Sequence, residues 1–229
     1  MATRARRSPR RTEALSRERI IDTAVELLDR AGAAGLTFRA LTERLATGPG
    51  AIYWHVANKD ELLAAATEAV VAAVVSPASA DSPEAAPGEI RAIALGLFEA
   101  IDDHPWLATQ IAVQLSRNPQ GTVTPRIFES IGRQVRALGA PEADWFTTTS
   151  VLVHYILGAA GQNAANARAA GLETDRTEYL GAASATWTEL DAAEYPFLRA
   201  VAGQMREHDD RAQFLAGVEL VLAGIAARR

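Results

Sequence analysis

Residues 36–63 read LTFRALTERLATGPGAIYWHVANKDELL. Thr37 is placed to cap a helix that runs through about Leu45 and buries Phe38, Leu41 and Leu45. A second short helix begins at Pro49 or Gly50 and runs to about Val56, with Ile52 and Val56 turned to the interior. Asn58, followed three residues on by Glu61, has the capping-box pattern of a further helix. Tyr53, Trp54 and His55 lie on the middle helix, and Lys59 follows the turn after it. This is the pattern of a helix-turn-helix that enters the DNA major groove. Gly48, Gly50 and Ala51 are small enough for the middle helix to approach the groove floor, where its first N–H groups suit phosphate.

Working outward, Ser16 reads as an N-cap, with Glu18 in the first turn of a helix whose dipole favours an anion there. Ile20, Ile21, Ala24, Leu27 and Leu28 keep helical spacing, and Gly32 ends the helix. Residues 1–15 form a basic arm with Arg4, Arg6, Arg7, Arg10 and Arg11 around Ser8-Pro9. Groove contact and plain disorder fit that arm equally. The Asn58-capped helix carries Leu62, Leu63, Ala66, Val70 and Val74 toward a breaker-rich connector at residues 76–88. Beyond it, helices are expected at 90–103, 106–115, 125–138, 141–170, 177–190, 196–207 and 212–227. No stretch alternates like a strand. The expected fold is all-α: a three-helix DNA-binding domain at 16–62 and a helical-bundle domain for ligand binding and dimerisation at 63–229.

The chain of 229 residues is 48% hydrophobic, enough for a sizeable body core. No apolar run reaches the ~18–20 residues of a membrane span, and no secretory signal is expected. With no cysteine, disulfides, thiolate zinc sites and cysteine nucleophiles are excluded, and a cytoplasmic location is compatible. The net charge of −5 is unevenly placed: residues 1–60 hold 11 Lys and Arg against 7 Asp and Glu, and the remainder holds 12 against 21. A head at +4 and a body at −9 leave one end of the molecule to meet phosphate.

The span from Ile20 to Leu63 resembles the DNA-binding domain of the tetracycline-repressor (TetR) family of transcriptional regulators. The resemblance rests on the helix ending at Gly32, on Leu36-Thr37, Leu41, Leu45, Ile52-Tyr53-Trp54-His55-Val56, Asn58-Lys59 and Leu62-Leu63. Residues 214–224, FLAGVELVLAG, are similar to the last helix of the tetracycline-repressor branch, and residues 154–158, HYILG, resemble its long dimerisation helix. The resemblance implies a homodimer that binds double-stranded DNA at a palindromic operator and releases it to an unidentified small-molecule effector. It places Arg39, Pro49, Gly50, Ala51 and Trp54 at bases. It places Thr37, Thr47, Tyr53, His55 and Lys59 at phosphates or in support of the reading helix. Arg39 has the fork to grip a guanine, worth ~1–3 kcal/mol of discrimination; Tyr53 and Lys59 would add salt-dependent affinity. The family usually has Gly in the turn after its second helix and an apolar residue next, where this chain has Ala46 and Thr47. A left-handed Ala costs roughly 1–2 kcal/mol, which would pass the turn to Gly48.

In the body, candidate ligand-lining residues are Phe98, Trp106, Gln110, Gln114, Phe128, Ile131, Trp145, His154, Gln162, Asn163 and Trp187, a few polar groups among aromatics. Phe98, Phe128 and Ile131 serve equally as ordinary core. Gln110 and Gln162 stand where the tetracycline branch has a metal-ligand histidine and a metal-linked glutamate. Neutral amides are poor substitutes, so no tetracycline–magnesium chelate, metal or cofactor is expected. Gly158, Ala159, Ala160 and Gly161, facing Gly217, Val218, Val221 and Gly224, would bring four helices together across a two-fold axis. An alanine-rich composition accounts for the same small residues. No enzyme constellation is found: His55, His104, His154 and His208 lie on separate elements. A hydrolase around Asp102, Asp103 and His104, or a ligand carrier with a vestigial head, are the alternatives. Whether the regulator represses or activates is left open.

Overall fold

The computed structural model describes residues 15–75, 82–170 and 176–228; the basic arm up to residue 14 and residues 76–81 of the connector lie outside them. No strand occurs among the described residues, and no described helix is long and apolar enough to cross a membrane. The chain divides into two compact units, with the boundary at Ala66.

The head begins with α1, Arg17–Gly35, capped by Ser16, whose hydroxyl accepts from the Arg19 N–H at 3.2 Å. Gly32 breaks α1 with φ 62° and ψ −172°, a conformation open to glycine and strained for other residues. The second helix, α2, is Phe38–Leu45, and Thr37 caps it by accepting from the Ala40 N–H at 3.1 Å. Helix α3 is only Pro49–Tyr53, ending short of Val56, although the Val56 N–H still reaches the Ile52 carbonyl at 3.0 Å. Ile20, Ala24, Leu28, Leu36, Leu41, Ile52, Val56 and Leu62 close one core with almost no exposure.

The tight turn differs from the expectation. Ala46, not Gly48, takes the left-handed conformation at φ 50°, ψ 46°, while Gly48 is extended. The Ala46 and Thr47 N–H groups both reach the Thr42 carbonyl, so the turn satisfies the end of α2 where it stands. The start of α3 stays at Pro49.

Helix α4, Lys59–Val74, runs from the head into the body. Asn58 caps it through the Glu61 N–H at 2.8 Å, and the Glu61 carboxylate accepts from the Ala57 N–H at 2.8 Å. The body comprises α5 (Ala86–Asp103), α6 (Leu107–Arg117), α7 (Val123–Ala137), a short 3₁₀ turn at Glu142–Asp144, α8 (Trp145–Ala170), α9 (Arg176–Glu189), α10 (Pro196–Arg206) and α11 (Asp210–Ala226). Helix α8 is the axis, packed by α5, α7 and α11, with α6 against it. It buries Leu152, Val153, Ile156, Ala160 and Ala164, and Leu97 and Ile101 of α5, Ile131 of α7 and Val218 of α11 are buried as well. Helices α9 and α10 pair mainly with each other, and α9 touches α8 lightly.

Because Ala46 occupies a left-handed position, Ala46→Gly should stabilise the head by about 0.5–1 kcal/mol, the relief of Cβ strain less the added chain entropy. Slower hydrogen exchange across the α1–α3 amides would register the gain. Unchanged or faster exchange would mean that the turn carries no strain.

Candidate nucleic-acid interface and ligand cleft

The candidate DNA-facing residues gather on the outer surface of α2 and α3. Thr37, Arg39, Gly48, Pro49, Gly50, Ala51, Tyr53 and Trp54 are exposed, and Thr47, His55 and Lys59 are half-buried at the edge. Trp54 is 88% exposed, on the side of α3 opposite the buried Ile52. Tyr53 is 53% exposed, and its ring is stacked on Phe38 of α2 with centroids 4.5 Å apart and planes 12° apart. That contact fixes the ring and is worth about 0.5–1.5 kcal/mol. Nothing approaches within 4 Å of the space a Cβ would fill at Gly48 or Gly50, so the surface above the start of α3 is open.

Two charged groups are held by partners in the head, one at helical spacing and one far back in the chain. The Arg39 Nε donates to Glu43, one turn along α2, at 2.9 Å; this bond first, then the carboxylate's charge, raises the guanidinium pKa. The pair is highly exposed, so it orients Arg39 and contributes little stability. Lys59 Nζ donates to the Ala33 carbonyl at 2.6 Å, closing the end of α1 beyond the Gly32 break. A cation suits that end of the helix dipole. Lys59 therefore ties the first turn of α4 to α1. Arg44 binds Glu26 at 2.7 Å, and Arg17 approaches Glu61 at 3.7 Å. At the start of α1, the Glu18 carboxyl is held below its usual range by a backbone hydrogen bond, then by Ser16.

In the body, the candidate lining residues do not converge. Ile131 and Phe98 are core, and Phe98 packs on Phe214 at 4.6 Å. Trp106, Gln110 and Gln114 are buried, and Gln114 accepts from Asn118 at 3.1 Å. Phe128 is half-buried and stacks toward Phe146. The Trp145 indole donates to the Ala140 carbonyl at 2.8 Å. His154 is exposed on α8, as is Gln162, which donates to Asn166 at 2.8 Å. Both lie outside any interior site because the helix turns them away from its buried stripe.

A cleft of about 630 Å³ opens instead between α9, α10 and the neighbouring parts of α8 and α11. Trp187 is on its wall, and it is joined there by His208 and by Tyr179, Phe197, Met205 and Arg176, which the sequence pattern does not single out. The one signal is the four-residue spacing of Phe197, Val201 and Met205, which reads as ordinary core. Phe98 and Asn163 border an adjoining polar depression with Asp102, Asp103 and Asp210.

The small residues of α8 and α11 also divide. Gly158 and Gly224 are exposed, with nothing within 4 Å of an added Cβ, and Ala159 and Val221 are half-buried. Val218 is wholly enclosed within the chain, because it shares the inward stripe of Phe214, Leu222 and Ile225. A Cβ at Gly217 would overlap the Tyr155 hydroxyl, which donates to the Phe214 carbonyl at 2.9 Å, and one at Gly161 would press on Ala108. These two glycines serve close packing within the chain. Burial raises the Tyr155 phenol pKa. The large apolar residues on the outer face are Phe146 and Leu220, each 75% exposed, and Val151.

A compact three-helix head with an exposed face on α2 and α3, followed in the chain by an all-helical body, is the build of a DNA-binding transcriptional regulator. The chain belongs to the tetR family of bacterial regulatory proteins: residues 20–66 match that family's DNA-binding region, and residues 88–229 match the tetracyclin repressor-like C-terminal domain. It is similar to the TetR transcriptional regulator SCO7222 of Streptomyces coelicolor, at 65% identity, covering 94% of this chain and 99% of that one, with a TM-score of 0.84. An HTH-type transcriptional regulator of Saccharopolyspora erythraea is 29% identical over 93% of this chain and 85% of its own length. The class C tetracycline repressor of Escherichia coli is 51% identical over 57 residues, 25% of this chain and 26% of that protein. The chain is thus a transcriptional regulator and not an enzyme.

Lys59→Met should cost the head about 1.5 kcal/mol, the net value of a charge-assisted hydrogen bond, read without DNA as faster exchange of the α1 and α2 amides. A lysine serving phosphate alone would leave that exchange unchanged.

Proposed function

We propose that this regulator is a repressor that binds a palindromic operator as a homodimer and leaves it when a small molecule occupies the body. The observation that carries the reading is the outer face of α2 and α3, where Trp54, Tyr53 and Arg39 project from a closed core. Arg39 reads a base edge by exchanging or sharing its bond to Glu43. Tyr53, held on Phe38, carries its hydroxyl toward the sugar-phosphate backbone. The acidic body keeps non-specific contact with DNA low.

Phe146, Val151 and Leu220 offer the apolar outer face that a second copy covers, with Gly158 and Gly224 admitting close helix approach. Helix α4 is the coupling element. Its first turn is fastened in the head by Asn58, Lys59 and Glu61. In the body, its last turn faces Gly96, where a Cβ would lie 3.2 Å from the Val74 carbonyl. An effector that favours one body setting shifts α4 and the spacing of the two heads, provided its affinity differs between the two states.

Selection of the purified protein against random duplexes at physiological salt should enrich one palindrome with half-sites about one helical turn apart, ~34–36 Å. Weak, salt-sensitive binding without enrichment would end the operator reading. Arg39→Ala should relax one position in each half-site at a cost of about 1–3 kcal/mol. Leu220→Arg should sediment as a monomer and lose operator binding with an intact head; a persistent dimer would place the interface elsewhere.

A further inference from the structure

We infer that the cleft between the α9–α10 hairpin and the body binds a planar aromatic anion, such as an aromatic carboxylate. Resting on the reading of the chain as an effector-released regulator, this assigns the effector's site and chemical class.

The hairpin's side chains are poorly covered by the protomer. Ser184 is the buried residue of α9 and Ala202 that of α10, joined by a 2.6 Å bond from the Ser184 hydroxyl to the Ala202 carbonyl. Phe197, Val201 and Met205 form a stripe along α10, and Tyr179 and Trp187 come from α9. In a filled core such a stripe would be closed. Here Phe197 is 72% exposed and Tyr179 60%, and the space before them is concave. Its volume falls within the ~300–1,000 Å³ of small-molecule sites. Aromatic rings along both helices match the flat face of a fused ring system.

The polar end sets the charge of the occupant. Arg176 and His208 are on the cleft wall, and no Asp or Glu is among the described residues that line it. Among the described residues, Asp210 borders the adjoining depression and is already engaged by three groups. It pairs with the Arg176 Nη2, lies 2.8 Å from the His208 Nε2, and accepts from the Asn163 amide at 2.8 and 3.2 Å once that amide is oriented to donate. Asp210 thereby fixes the guanidinium and the imidazole from behind. Asp209, its neighbour, caps α11 through the Ala212 N–H at 2.6 Å. Arg176 spends Nη2 on Asp210 and has other N–H donors to offer an anionic oxygen in planar, paired geometry. A cationic ligand would meet Arg176, and an aliphatic one would leave the aromatic walls unmatched.

The test is a titration of the full-length protein, in its native oligomeric state, with fluorescent 1-hydroxy-2-naphthoate and its neutral match, 1-hydroxy-2-naphthamide. The naphthoate should saturate one site per protomer and bind about tenfold or more tighter than the amide, as expected for a charge-assisted pair. Arg176→Gln should remove that preference and leave amide binding intact. Val201→Trp, which fills the cleft without touching its charges, should abolish both. Thermal melts confirm that each variant is folded. Equal affinity for the two compounds, binding that survives Val201→Trp, or no saturable binding would overturn the assignment. Operator retention separates this inference from the reading beneath it. Val201-dependent binding with the operator still held would support the aromatic-anion site and overturn its role in release. Release by another compound, undiminished in Val201→Trp, would overturn the cleft as the effector site and leave the release mechanism standing.

Discussion

A helix of five residues does not persist by itself in water, because the cost of nucleating it is never recovered by so few hydrogen bonds. Helix α3 exists because Ile52 and Val56 are driven into the head core and because Tyr53 lies flat on Phe38. Everything proposed for DNA depends on that anchoring. The residues that hold α3 are the apolar ones, and the exposed Trp54 is what remains on the other side. The Thr37 cap, the left-handed Ala46 and the Pro49 start set where the helix begins, so the register of Trp54 and Tyr53 follows from local chemistry and core burial together.

The second constraint is the sharing of α4. Its first turn is tied by Asn58, Glu61 and Lys59, the last by a 2.6 Å bond to the carbonyl past the Gly32 break. Its final residues belong to the body. An unbroken helix rises about 1.5 Å per residue and bends little. Charged groups around the head mostly orient one another. Exposed pairs such as Arg39–Glu43 and Arg44–Glu26 add little stability. Their effect is to decide where a guanidinium points.

In the body, one helix performs two tasks on opposite faces. The inward stripe of α8 closes the core, while its outward face, with that of α11, presents Phe146, Val151 and Leu220. The link from Arg91 on α5 to Glu219 on α11 spans that arrangement. The bond to Arg91 first, and its charge after, lowers the Glu219 pKa, so this contribution is present at neutral pH and is lost as the pH falls through the depressed value. The α9–α10 hairpin stands apart in character, with large rings and small buried residues.

Much of the head is legible in the sequence because its signals are local. Caps at Ser16, Thr37 and Asn58, the stop at Gly32 and the spacing of Ile20, Leu41, Ile52 and Val56 are all short-range features, and short-range features are written in consecutive residues. The helices of the body follow from the same signals, to within a few residues at their ends. Tertiary structure decided what consecutive residues do not encode. It put the turn on Ala46, since the paired hydrogen bonds to Thr42 and the burial of Leu45 outweigh the strain of one Cβ. It turned Val218, Gly161 and Gly217 inward, and it aimed the Lys59 ammonium at a carbonyl 26 positions back in the chain. It also scattered the candidate lining residues and assembled a cleft from α9 and α10. Sequence spacing gives a residue's face on its own helix, whereas a cavity depends on which faces of different helices meet. That is settled only when the whole core packs.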